Sequence, residues 1–310
     1  IDTIVERLFH GENHLESYGA KKDFPLGGKR VIGTPAHYAY LKIAEGCNNR
    51  CHYCAIPGIR GPLHSRDMAD CVAEARWLAG EGVKELIVVA QDPTAYGEDW
   101  GKPGSICELL DKLNKVPGLE WIRIMYAYPE RITDDFIAAM KRNEKVVPYL
   151  DLPIQHCNDD ILKAMNRRDT KESIRKVFHD LRARIPGLVL RASIIAGLPG
   201  EGEKEFEELC DFLREEKIER AGVFPFSPEE GTKAATMEHV PMEEAQRRTE
   251  LLVDVQSEEA QSYVGRSYAE SVDIDGKIYF SAERDIMAGE FVNVRLTGTM
   301  DGELTGEAVE

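Results

Sequence analysis

Three cysteines fall within eight residues, Cys47-Asn48-Asn49-Arg50-Cys51-His52-Tyr53-Cys54, in the spacing C-x-x-x-C-x-x-C. Thiolates packed this closely bind soft metals. A structural zinc site takes four protein ligands, usually as two C-x-x-C pairs or as a pair with histidines. No fourth cysteine stands at a closing distance, so only His52 or His64 could complete such a site. Iron–sulfur clusters are also held by clustered thiolates. Three thiolates on a four-iron cluster leave one iron open to a substrate or cofactor, and a chance run of cysteines is the remaining reading. The apolar run Tyr38–Ala44 before the loop and the Pro57-Gly58 turn after it place the cysteines at the C-terminal end of a strand.

The spacing, with an aromatic residue (Tyr53) just before the third cysteine, resembles the radical S-adenosylmethionine (SAM) superfamily. The longer stretch from Tyr40 to Gly61, followed by Ser65-Arg66, resembles the methylthiotransferases, and within them the RimO branch, over residues 36–310. That resemblance implies a four-iron four-sulfur (4Fe-4S) cluster on Cys47, Cys51 and Cys54, with SAM chelating the open iron. Tyr53 is then expected near the cluster or the adenine. The implied reaction cleaves SAM to a 5′-deoxyadenosyl radical, which takes hydrogen from the β-carbon of an aspartate in a small-subunit ribosomal protein. A second SAM supplies methyl, and a second 4Fe-4S cluster supplies sulfur. Family members hold that second cluster on three cysteines of an N-terminal domain, and no cysteine precedes Cys47 here. The chain is therefore expected to be truncated and unable to transfer sulfur alone. The alternative activity is that of a tRNA adenosine methylthiotransferase.

Elements must position these residues. Short apolar runs at 38–45, 84–90, 120–127, 147–154, 188–197 and 220–227 read as buried parallel strands. Amphipathic stretches at 68–81, 105–115, 132–143, 158–166, 171–184 and 203–216 alternate with them as helices. Alternation of this kind argues for parallel βα units. Six units are two short of a closed eightfold barrel. Short alternating runs in residues 263–310 read as a small antiparallel β unit. The resemblance implies an open partial (β/α)6 barrel, followed by a small all-β TRAM (OB-like) domain. The expected divisions are 1–36 (helix and connector), 37–240 (core), 241–262 (linker helix) and 263–310 (β domain).

Sites in such sheets lie at the C-terminal ends of the strands. Gln91-Asp92 leaves an all-apolar run and is costly to bury without partners; it reads either as a turn with a capping Asp or as cofactor contacts. Gln155, in Leu152-Pro-Ile-Gln-His156, is a further SAM-binding candidate, whereas a lone strand-end histidine such as His156 is more often structural. Asp151, within an apolar strand, needs Arg123 or Arg191 as a partner. Arg191 itself implies an anion, either an internal carboxylate or that of the cofactor. Gly197 and Gly200 allow close approach of a ligand, and the resemblance assigns this strand to adenine and ribose. Cys71, Cys107, Cys157 and Cys210 are isolated and read as packing residues, Trp77 and Phe178 as core, and Glu215-Glu216-Lys217 as a solvated helix end.

The net charge of −16 disfavours a grip on phosphate backbones, so direct nucleic-acid binding is not expected. Residues 263–310 carry ten acidic and four basic side chains. An acidic domain of this kind suits a basic ribosomal protein substrate better than RNA. No apolar run approaches the roughly 18 residues of a membrane span, and seven cysteines without a disulfide framework suit a reducing compartment. A cytoplasmic monomer reduced by a flavodoxin or ferredoxin is the expectation.

Overall fold

A computed structural model of the chain describes residues 2–12, 26–28, 30–252, 263–265, 268, 276–281, 286, 289–300 and 303–309. Its main body is a six-stranded sheet of β1 (Tyr38–Lys42), β2 (Glu85–Val89), β3 (Trp121–Ile124), β4 (Val146–Asp151), β5 (Val189–Ala196) and β6 (Arg220–Pro225). The strands lie side by side in chain order and every pair is parallel. Among the described residues β1 and β6 are its free edges, so the sheet is an open partial barrel. Each strand sits where the apolar runs place it. All six stop one to three residues short of the expected C-terminal limit.

Nine helices are described: α1 (Asp2–Phe9), α2 (Ile56–Arg60), α3 (Met68–Gly80), α4 (Ser105–Leu113), α5 (Asp134–Arg142), α6 (Asp159–Ala164), α7 (Lys171–Arg184), α8 (Glu203–Glu216) and α9 (Met242–Leu252). Their starts are written in the sequence. Asp67 accepts hydrogen bonds from the Ala69 and Asp70 amides at the head of α3, and Thr133, Asn158 and Thr170 cap α5, α6 and α7. The apolar stripes of α3, α4, α5, α7 and α8 pack on the outer face of the sheet in one continuous core. Tyr38, Ile87, Met125, Val147 and Tyr149 pack together as a second, smaller cluster. Beside them Arg123, fully buried, donates to Glu85 at 2.7 Å and lies 4.6 Å over the Tyr149 ring.

Two side-chain expectations are overturned. Trp77 is 38 % exposed on the outer face of α3 rather than in the core, although Phe178 is buried as expected. Glu216 is buried, not a solvated helix end, because Arg175 at 3.0 Å and His179 at 3.3 Å hold its carboxylate.

The C-terminal unit is a four-stranded sheet of β7 (Tyr263–Gly265), β8 (Ile278–Ser281), β9 (Asn293–Met300) and β10 (Glu303–Val309) in the order β9-β10-β8-β7. The expected all-antiparallel pattern is corrected at one pair, since β8 and β10 run parallel. Trp121 of β3 meets Phe291 edge to face at 4.6 Å, and Arg123 donates to the Tyr268 carbonyl at 2.7 Å. The described part of the expected linker helix is α9. It packs on the barrel through buried Ala245 and Arg248. The expected helix over 253–262, the expected break in the chain near 270–273, the expected Asp301-Gly302 turn, and residues 19–25 and 29 of the expected connector lie outside the described residues.

Candidate active site

The cysteine loop is pinned at both ends. Ala44-Glu45 pairs antiparallel with His64-Ser65. At Gly46, φ is +76° and a Cβ would lie 2.1 Å from the Pro62 carbonyl oxygen, so only glycine fits. The Cys47 amide donates to the Gly61 carbonyl at 3.2 Å and the Cys54 amide to the Cys51 carbonyl at 3.0 Å. Asn49 and Asn166 hold the loop from the sides. The Asn49 amide donates to Asp92 Oδ2 at 2.9 Å, and the Asn166 amide to the Arg50 carbonyl at 3.0 Å.

Neither histidine completes a zinc site. The His52 ring shares a 2.7 Å hydrogen bond with the Ala164 carbonyl, and His64 is exposed beside Asp99. Among the described residues no three His, Cys, Asp or Glu side chains gather at single-ion distance. A lone zinc draws its ligands onto one centre, whereas a four-iron cluster takes each thiolate on a different iron and so spreads them. Burial pushes the Cys47 thiol up to about 11 and raises Cys54 as well. Ligation would need them as thiolates, which iron cations at the three sulfurs would favour.

The three cysteines line a cavity of about 310 Å³ whose other wall includes Gln91, Tyr126 and Tyr128. Gln91 donates its amide to Glu45 Oε1 at 2.8 Å, which leaves its own Oε1 buried without a partner. An unpaired buried acceptor costs about 1–3 kcal/mol, and an ammonium entering the cavity would relieve it. The amino group of SAM is such a donor. Three thiols and an orphaned acceptor on one cavity therefore fit a cluster with SAM beside it. Burial raises the Glu45 carboxyl, but the hydrogen bond and charge of Lys42 outweigh it and hold the group below the usual range.

The remaining sequence candidates separate. Asp92 is a capping residue: it accepts from the Thr94 amide at 3.1 Å and pairs with Arg131 at 3.2 Å. Arg191 faces the internal carboxylate, with Nη1 2.9 Å from Asp151 Oδ1, so Asp151 is met by Arg191 and Arg123 goes to Glu85 instead. The other Asp151 oxygen accepts from the Tyr126 amide at 3.2 Å. Gly197, at φ +84°, makes its close approach to α9, since a Cβ there would lie 2.7 Å from Ala245 Cβ. Gln155 sits at φ +70° and bridges the backbone of Ile194. It is not among the residues lining the cysteine cavity. Tyr53 lines that cavity and packs against the apolar cluster of Ile161, Met165 and Leu198. Buried His156 accepts from the Asn158 amide at 2.9 Å and faces Glu201 Oε2 at 3.2 Å, a structural role. Cys71 and Cys157 are buried thiols pushed up to about 12 by burial, as packing residues should be.

Two residues at the site escaped sequence reasoning. The Tyr128 hydroxyl lies 2.9 Å from Cys51 Sγ, and the Arg167 guanidinium lies 4.2 Å over the Tyr128 ring. Asn166-Arg167-Arg168 reads in sequence as a polar stretch after a helix, and no spacing ties it to the cysteines.

Residues 41–213 match the model of the radical SAM superfamily, and residues 247–309 match that of the TRAM domain. The chain is 46 % identical to ribosomal protein uS12 methylthiotransferase RimO of Acetivibrio thermocellus, over 92 % of this chain and 68 % of that protein. It is 42 % identical to the protein of the same name from Clostridium tetani, over 98 % of this chain and 73 % of that one. Among solved structures, the radical SAM methyltransferase TsrM from Kitasatospora setae, with cobalamin and a 4Fe-4S cluster bound, superposes with a TM-score of 0.52. That match covers 64 % of this chain and 40 % of TsrM at 16 % identity, a likeness of fold alone.

Proposed function

The chain belongs to the RimO-type methylthiotransferases of the radical SAM superfamily, and from that premise we propose that it methylthiolates the β-carbon of an aspartate in ribosomal protein uS12. The observation that carries the reading is the cavity lined by Cys47, Cys51 and Cys54, with Gln91, whose Oε1 is buried and has no partner, in its wall.

In this reading the three cysteines hold three irons of a 4Fe-4S cluster and leave the fourth for SAM. When bound, the reduced cluster supplies the electron that turns SAM into a source of 5′-deoxyadenosyl radical, able to take hydrogen from carbon that no side-chain base deprotonates. The chain's own part is to bind, orient and shield. Gln91 Oε1 accepts from the SAM amino group. Tyr53 supplies an apolar wall backed by the α6 cluster. Tyr126 is 41 % exposed at the cavity and stands at φ +65°, a strained backbone placed where a substrate enters. Arg191 and Asp151 neutralise each other beneath it and fix the Tyr126 amide. Gln155, Gly197 and Arg191 are assigned to the SAM-facing end of the sheet on family grounds.

A basic ribosomal protein substrate is supported by the net charge of −16 and by the acidic C-terminal unit. The same acidity counts against the tRNA-modifying alternative. A flavodoxin or ferredoxin as reductant, a monomeric state and a cytoplasmic setting complete the proposal. Among the described residues no helix is long and apolar enough to cross a membrane. Sulfur insertion is assigned to a second cluster. Beyond the loop the cysteines of these 310 residues are isolated, and none of them is assigned to that cluster.

The test is anaerobic reconstitution with iron and sulfide counting, then electron paramagnetic resonance and product analysis with SAM and a uS12 peptide. About four irons per chain, as three thiolates on one cubane require, with a signal shifted by SAM and release of 5′-deoxyadenosine, is the expected result. Zinc, or no metal, would overturn the reading of the loop. Robust methylthiolation by this chain alone would overturn the sulfur assignment.

A further inference from the structure

Behind Cys51 lies a polar group that nothing above uses. Arg167 follows α6 and is only 6 % exposed. Its Nη2 donates to Asp169 Oδ2 at 2.8 Å and, more weakly, to the Pro153 carbonyl at 3.3 Å. Its Nε and Nη1 are buried and have no hydrogen-bond partner. Buried guanidinium donors are normally satisfied, so two orphans on one side chain ask for an explanation. The plane lies over the face of Tyr128, 4.2 Å from the centroid, and the Tyr128 hydroxyl lies 2.9 Å from Cys51 Sγ. Guanidinium, ring, hydroxyl and sulfur thus touch in succession, ending at the cysteine loop.

We propose that Arg167 and Tyr128 act as a unit that raises the reduction potential of the cluster held by Cys51. This rests on the reading that Cys47, Cys51 and Cys54 hold a 4Fe-4S cluster. Sulfur on iron carries no proton, so in the 2.9 Å contact the Tyr128 O–H must be the donor. A hydrogen bond to a ligand sulfur withdraws negative charge from it, one of the main means by which a protein sets cluster potential. The cation over the ring attracts its π electrons and makes the phenol a stronger donor. Reduction adds one electron from a low-potential one-electron donor and breaks no bond, so the added charge is the whole electrostatic change. A positive group and an O–H donor beside the cluster stabilise the reduced form, the more so where water is scarce. Asp169 engages Arg167 through Nη2 alone, which leaves Nε and Nη1 uncommitted. Both residues are positioning residues.

The test uses the reconstituted chain and its variants Y128F, R167M and R167K, with iron counted before each potentiometric titration followed by electron paramagnetic resonance. Y128F and R167M should keep the full iron count yet lose about tenfold in reduced fraction at a fixed potential, a shift of about 59 mV for one electron. R167K should recover part of the loss, and the double variant should fall short of the two single shifts added together, as coupled residues do. Unchanged potentials in Y128F and R167M at full iron count would overturn this inference alone. A wild-type chain without iron would overturn the cluster reading, and this inference with it. If R167M fails to fold, Y128F, which keeps the ring, decides.

Discussion

Gln91 gives its amide to Glu45 at 2.8 Å and keeps its carbonyl oxygen buried and unshared beside the cysteine cavity. The side chain is thus oriented from behind, and its free acceptor is left for a ligand. Replacing Gln91 by Met keeps the length and removes the acceptor. A hydrogen bond to a charged group contributes about 1.5–3 kcal/mol, so SAM affinity should fall about 10- to 100-fold with the iron content unchanged. Equilibrium binding of SAM to reconstituted protein reads the effect, and an unaltered affinity would remove Gln91 from the site.

Glu45, which orients Gln91, also makes an acid-stability prediction. Burial raises its carboxyl, but Lys42, the Gly46 amide and Arg60 together bring it below the ordinary range. A carboxyl lowered by folding stabilises the native state above its unfolded pKa of roughly 4.3 and loses that contribution as pH falls through the folded value. Glu45→Gln should therefore cost stability at pH 7 and flatten the loss of stability below about pH 4. Urea unfolding at several pH values would show parallel curves if Glu45 played no such part.

Arg191 and Asp151 are a buried pair between neighbouring strands. Arg191→Met should destabilise the chain by about 3–5 kcal/mol, because it leaves a carboxylate buried without its partner. Adding Asp151→Asn should recover much of that loss. Chemical denaturation of the single and double variants gives the coupling. A single variant as stable as wild type would mean that Asp151 has another partner.

Gly197 combines a left-handed backbone with a contact that excludes a methyl group. Gly197→Ala should cost more than about 1 kcal/mol. Ala245→Gly should return part of the share due to the clash, since Val240 Cγ2 still lies 2.9 Å from the added methyl, and leave the share due to φ +84°. Thermal unfolding of the two variants and their combination separates these, and full additivity would show that the two residues do not touch.

Cysteine replacement divides the seven thiols by role. Serine at Cys47, Cys51 or Cys54 should abolish or sharply reduce bound iron after reconstitution. Serine at Cys71 or Cys157, both buried away from the loop, should lower stability and leave the iron count intact. Iron analysis beside a melting curve distinguishes the two classes.

The sequence by itself marked the candidate metal-ligand loop and determined the architecture. Three thiols within eight residues need no tertiary structure to be read as one candidate ligand set, because chain connectivity already holds them together. Six apolar runs alternating with amphipathic ones likewise report burial directly, and the parallel sheet in chain order follows from short crossovers. The partners of buried charges were decided only by tertiary structure. Asp151 had two arginines to choose from, and strand register gave it Arg191 while Glu85 took Arg123. The close packing of α9 against Gly197 was likewise invisible until the fold brought Ala245 there. Trp77 and Glu216 changed sides because helical phase alone does not say which neighbour covers a helix. Tyr128 and Arg167 reach Cys51 from 77 and 116 positions along the chain, a meeting that folding creates and no local pattern records.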